Sequence, residues 1–115
     1  MTVAVQDHDA TTVVTVVGAV DALTAPRLRE ALRHAFDELA GRVLVVDLTE
    51  VRFLGSPGLR ALADSAREAV DHHGLRPLRI IVDHSRPVIR PIEIVGLDGV
   101  LDLYQDVEAA LRDHG

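Results

Sequence analysis

Val43-Leu44-Val45-Val46-Asp47-Leu48-Thr49-Glu50-Val51-Arg52-Phe53-Leu54-Gly55-Ser56-Pro57-Gly58-Leu59 is the stretch from which the fold can be read. Its first six residues are apolar apart from Asp47 and are bounded by Gly41-Arg42 and Thr49-Glu50. Such a run predicts a strand buried on both faces, as inside a parallel sheet. The chain then stays extended through Val51 to Leu54 and enters a tight corner. Gly55 supplies the turn, Ser56 an N-cap and Pro57 the first helical residue. Beyond the corner Leu59, Leu62, Ala63, Ala66 and Val70 recur at helical spacing, which carries a helix to about His73 with Gly74 as its stop. One hydroxyl, that of Ser56, is thereby set at the positive end of a helix dipole and at the carboxyl edge of a buried strand. In open sheets with helices on them, that edge is where function usually sits.

Toward the amino terminus, Val3 and Val5 alternate with polar or small neighbours and predict a weak strand, followed by a turn at Asp7-His8-Asp9. Thr11 to Val17 is rich in β-branched residues and predicts a second strand, hairpinned to the first and ended by Gly18. After an irregular stretch from Ala19 to Leu23, Thr24 reads as an N-cap with Pro26 close behind it. Leu28, Leu32, Ala35, Phe36 and Leu39 then form one apolar stripe, so an amphipathic helix of about four turns covers a sheet face, closed by Gly41. Toward the carboxyl terminus, Leu78 to Val82 predicts a short buried strand. Val88, Ile89, Ile92 and Val95 suggest a helix that Pro91 shortens or kinks. Val100 to Tyr104 reads as a last strand, and Asp106 caps a final helix carrying Val107, Ala110 and Leu111. The order is β-β-α-β-α-β-α-β-α: an α/β domain over residues 1–115, with an antiparallel hairpin, an otherwise mainly parallel sheet and about four helices.

Composition narrows the function. With 115 residues the chain suits one domain, and 48% hydrophobic against 3% aromatic residues means a core of Val, Leu, Ile and Ala. There is no cysteine, which excludes disulfides, thiol nucleophiles and thiolate metal sites. A net charge of −6 argues against a nucleic-acid surface. All 12 cationic side chains are Arg, so there is no phosphate-loop lysine, no Schiff base and no receiver-type lysine. No apolar run approaches the roughly 20 residues that cross a bilayer, and no basic-then-apolar leader opens the chain. A soluble, cytoplasmic protein without membrane insertion is expected.

The run VLVVDLTEVRFLGSPGLRAL resembles the signature of STAS domains, the family of bacterial anti-sigma factor antagonists, in which an apolar strand is followed by Asp-Ser-Ser/Thr-Gly-Leu and a helix. Gly18-Ala19-Val20-Asp21-Ala22-Leu23-Thr24-Ala25-Pro26 resembles the family's other marked turn. Gly55 stands where the family usually has Asp, and Pro57 where it usually has a second hydroxyl residue. The resemblance implies a STAS-like fold with no catalytic residue and no cofactor. It implies a protein that binds an anti-sigma factor with serine-kinase activity, releases a sigma factor, and is switched off by phosphorylation of Ser56. Asp21, Thr24, Leu54, Gly55, Pro57, Gly58 and Arg60 are then the candidate partner-binding residues, and self-association is left open.

Each candidate also has a plainer reading. Ser56 as a helix cap is worth roughly 1 kcal/mol without any kinase. If it is phosphorylated, the helix dipole, the N–H groups of Gly58 and Leu59, and Arg60 or Arg52 accommodate the phosphate. The bare backbone of Gly58 would let a partner approach closely. Asp21 can serve as a turn residue accepting backbone hydrogen bonds. Asp47, in a buried strand, must face a polar pocket or an arginine and is read as structural, near the strand's end. The six histidines show no metal-ligand spacing. A Ser56/His84/Asp21 hydrolase lacks the Gly-x-Ser-x-Gly elbow, and Gly55-Ser56-Pro57-Gly58 is too short for a phosphate loop. Two rivals to the switched antagonist remain. One is a non-phosphorylated STAS scaffold or a subunit of a signalling or lipid-transport complex; the other is a small enzyme or nucleotide-binding protein.

Overall fold

The computed structural model describes residues 1–8, 10–73, 78–83, 101–104 and 107–112. Five strands form one sheet in chain order: β1 (Thr2–His8), β2 (Thr11–Val20), β3 (Val43–Leu54), β4 (Leu78–Ile81) and β5 (Leu101–Tyr104). β1 pairs antiparallel with β2, and every later pairing is parallel. Helices α1 (Ala25–Asp37) and α2 (Ser56–His73) make the crossovers on either side of β3, and α3 is Val107–Arg112. The expected helix around Val88 to Val95, the Gly74 stop, the Asp106 cap and His84 lie outside the described residues.

Alternation along the strands divides the core. Val14 and Val16 of β2, Leu44, Val46, Leu48 and Val51 of β3, and Leu78 and Ile80 of β4 are buried in one large cluster. Leu28, Leu32, Ala35 and Phe36 of α1, with Ala61, Leu62, Ala66 and Ala69 of α2, close that cluster from the other side. The opposite face holds a smaller cluster of Val13, Val45, Ile81 and Ala110. β3 thus contributes buried residues to both faces, as its apolar run requires.

Three local expectations are corrected. β1 runs to His8, so the hairpin turn starts later than the polar Asp7-His8-Asp9 suggests; Asp7 still accepts a hydrogen bond from the Thr12 hydroxyl at 2.8 Å across the hairpin. Gly18 does not end β2. It takes φ +99°, which L side chains rarely adopt, beside a register shift between Gly18 and Ala19, and the strand resumes to Val20. Asp47 sits well inside β3 rather than near its end, and no arginine pairs with it among the described residues. Its Oδ1 accepts the Thr49 amide at 2.9 Å and the Thr49 hydroxyl at 2.7 Å, so the carboxylate is served by its own strand.

Candidate functional site

The bulge at Gly18 has a consequence at the far end of the sheet. It lets β2 turn the buried Val20 toward the core and brings its carbonyl to the amide of Gly55, which donates to it at 3.0 Å. The two marked turns, one after β2 and one after β3, are therefore tied into a single corner at the carboxyl edge of the sheet. Asp21 and Ser56 stand on this common edge.

The Asp21 turn is built from its own atoms. Asp21 Oδ1 accepts the amides of Leu23 and Thr24, both at 3.0 Å, while the Thr24 hydroxyl accepts the Asp21 N–H at 2.9 Å. The same hydroxyl has the Ala19 carbonyl at 3.3 Å and Asp21 Oδ1 at 3.1 Å as acceptors for its single proton. Thr24 holds the N-cap position of α1, with Pro in its first turn, yet makes no side-chain bond to a helical amide. Its hydroxyl serves Asp21 instead. These hydrogen bonds, that from the Thr24 amide foremost, hold the exposed Asp21 carboxyl below its ordinary value. Leu23, whose own amide is one of the two that Asp21 Oδ1 accepts, is 85% exposed.

At the second turn the helix start lies one residue earlier than the Gly-Ser-Pro motif suggests. Leu59 N–H donates to the Gly55 carbonyl at 3.0 Å, so Gly55 is the N-cap and Ser56 the first helical residue. Ser56 is exposed and its hydroxyl has no hydrogen-bond partner among the described residues. It does not cap the helix. Pro57 is exposed, and Leu59 N–H is already used, so of the two amides expected to face an anion only that of Gly58 remains.

Gly58 is buried. A Cβ there would come within 2.7 Å of both Leu54 Cδ1 and Val20 Cγ1, so its bareness serves the packing of α2 on β2 and β3. The side of Gly58 from which a Cβ would project is filled from inside, by Leu54 and Val20. Leu54 is half-buried for the same reason, packed on the core, whereas its neighbour Phe53 is 49% exposed.

Between the first turns of α1 and α2 lies a groove of about 280 Å³ with Ser56 in its wall. Ala22, Ala25 and Pro26 on one side and Pro57 and Ala61 on the other keep it shallow and apolar. Its charged members are Arg29, Arg60 and Asp64. Arg52, the other cation expected near Ser56, is exposed and is not part of the groove lining. Sequence reading missed Leu23, Phe53 and Arg29. The first two break the core pattern as large apolar residues in or beside a turn, which is the signal that could have found them. Arg29 looks like any solvated helix residue until the two helices are placed side by side.

The described residues hold no group of three or more His, Asp or Glu side chains that could bind a metal, and no helix long and apolar enough to cross a membrane. A family model for the STAS domain matches residues 2–110. The anti-sigma-F factor antagonist RsfB of Mycobacterium tuberculosis is 33% identical over 111 residues, covering 96% of this chain and 87% of its own. An anti-sigma-B factor antagonist of Listeria monocytogenes is 31% identical over 97 residues, covering 84% of this chain and 81% of its own. The crystal structure of an anti-sigma factor antagonist from Mycobacterium paratuberculosis superposes with a TM-score of 0.78 at 35% identity, covering 96% of this chain and 90% of that one.

Proposed function

Because the chain belongs to the STAS domain family, we propose that it acts as an anti-sigma factor antagonist: it binds an anti-sigma factor, frees the sigma factor, and is switched off when the partner's serine-kinase activity phosphorylates Ser56. It is a regulatory binding protein and not an enzyme. The observation that carries this reading is the exposure of Ser56, with its hydroxyl unengaged, on the corner where both marked turns meet. Among the described residues the fold makes no use of that oxygen, which leaves it open to a kinase.

The switch needs no change of conformation. In the transfer, Ser56 Oγ takes the γ-phosphoryl group of ATP, its proton goes to solvent or to a base of the kinase, and ADP leaves. The product carries about −1.5 to −2 charges at a site where a partner would have to strip its water. A cost of about 3 to 4 kcal/mol lowers affinity by two to three powers of ten. Leu23 and Phe53, exposed on the same corner, give the unmodified protein an apolar contact to offer.

One observation favours the constitutive scaffold instead: Gly55 and Pro57 replace an acid and a hydroxyl residue at the family's signature, and Pro57 removes one amide from the first turn of α2. Incubation with a cognate kinase and ATP, followed by intact-mass measurement, separates the two. One added phosphate that disappears in Ser56→Ala supports the switch. No uptake by the native chain supports the scaffold.

A further inference from the structure

The groove beside Ser56 differs in sign from the rest of the molecule. The chain carries a net charge of −6, yet the groove is lined by two arginines and one carboxylate. Asp64, that carboxylate, lies 4.0 Å from Arg67, so part of its charge is already matched outside the groove. Arg29 and Arg60 have no ion-pair partner among the described residues. Each stands one turn into its helix: Arg60 is four residues after Ser56 and shares its face, and Arg29 is four residues after Ala25, itself part of the wall. The remaining walls are alanine and proline side chains, which offer neither donor nor acceptor to compete for an anion.

We propose that, once Ser56 carries a phosphate, Arg29 of α1 and Arg60 of α2 close on it across this groove. The inference rests on the reading of Ser56 as a phosphorylation site and adds the ligands of the phosphate. Two guanidinium forks suit a dianion with three acceptor oxygens, and their donors replace the amides that Pro57 and the Leu59 bond deny it. Modification then changes the corner twice. The serine becomes anionic, and two cations that an approaching partner could have met are drawn inward and neutralised.

The test installs phosphoserine at position 56 during translation by codon suppression, so that no kinase is needed. In the phosphoprotein the Nε–Hε signals of Arg29 and Arg60, assigned with Arg29→Lys and Arg60→Lys, are expected to shift from their places in the unmodified protein and to exchange with water more slowly. Alkaline phosphatase is expected to release phosphate about three- to tenfold faster from the Arg29→Gln/Arg60→Gln phosphoprotein than from the unaltered one. Arginine signals that do not move on phosphorylation overturn the proposal, whatever the phosphatase rates. That result would leave a switch by repulsion alone intact, whereas failure of a kinase to modify the native chain would count against the phosphorylation reading and leave this measurement standing.

Discussion

Gly58 lies so close to Val20 that a Cβ built on it would stand 2.7 Å from Val20 Cγ1 and 3.1 Å from Val20 Cβ. The Leu54 Cδ1 atom, also at 2.7 Å, ends a flexible side chain and could swing away; Val20 is fully buried and branched at Cβ, so it cannot. Gly58→Ala is therefore expected to cost about 1–3 kcal/mol by overpacking, read as a lower urea midpoint. Val20→Ala should restore part of the loss, with the double variant at least about 1 kcal/mol better than the sum of the singles. Strict additivity would mean that the crowding is relieved elsewhere.

Gly55 presents the opposite case. Its missing Cβ would meet Phe53 Cε2 and Cζ at 3.2 Å, and that ring is 49% exposed and free to give way. As the N-cap of α2, position 55 gains from a side chain that can accept an amide hydrogen bond. Gly55→Asp is expected to stabilise the domain by a few tenths of a kcal/mol, in urea denaturation at pH 7. A loss of more than about 1 kcal/mol would show that the Phe53 ring is pinned.

Asp21 should make stability depend on acid. Its folded pKa is depressed below 3.8 by the hydrogen bonds from Thr24 and Leu23, so its contribution is present above the unfolded value and lost as pH falls through the folded one. Asp21→Asn is expected to be less stable than the native chain at pH 5 to 7, with the gap closing at pH values below about 3.8. Denaturation midpoints at pH 7, 5, 4 and 3 check this, and a gap that widens toward acid would reverse the sign.

The order of the described elements, the hairpin and the parallel sheet were legible because hydrophobic periodicity and the turn residues agreed over long stretches. What stayed hidden depended on contacts between distant segments. Gly18 reads locally as a strand end, and only pairing with β3 shows that β2 resumes beyond it. Gly-Ser-Pro fits a cap at either Gly55 or Ser56, since proline is tolerated anywhere in a first turn, and the Leu59–Gly55 bond decides. The role of Gly58 could not be seen without Val20 beside it. Asp47 looked costly because its nearest help, Thr49, lies on its own strand. Of the proposed site, Asp21, Ser56 and Arg60 were found from motif position, while Leu23 and Arg29 entered only through the geometry of the corner.

Leu23, 85% exposed, gives the folded chain almost nothing. Leu23→Ala is expected to leave the urea midpoint within about 0.5 kcal/mol of the native value. If the corner is the docking surface, the same change should weaken capture of a cognate anti-sigma factor by at least about tenfold, as loss of an apolar anchor does. Unchanged capture, measured by surface plasmon resonance, would move the interface off this corner.

Ser56→Asp should separate stability from binding. At the first position of α2, beside a helix N-terminus without an acid in its first turn, a carboxylate is favoured by about 0.3–1 kcal/mol, so the variant should melt slightly higher than Ser56→Ala. The same charge, facing outward from an exposed position, would have to be desolvated when a partner docks. Capture of the anti-sigma factor should fall by about one to three powers of ten in Ser56→Asp and little in Ser56→Ala. An altered fold cannot produce that pairing, because it would lower stability and capture together. If the two variants instead bind equally well while differing in melting temperature, the charge at position 56 is felt by the helix and by nothing else, and the corner is not read by its electrostatic state.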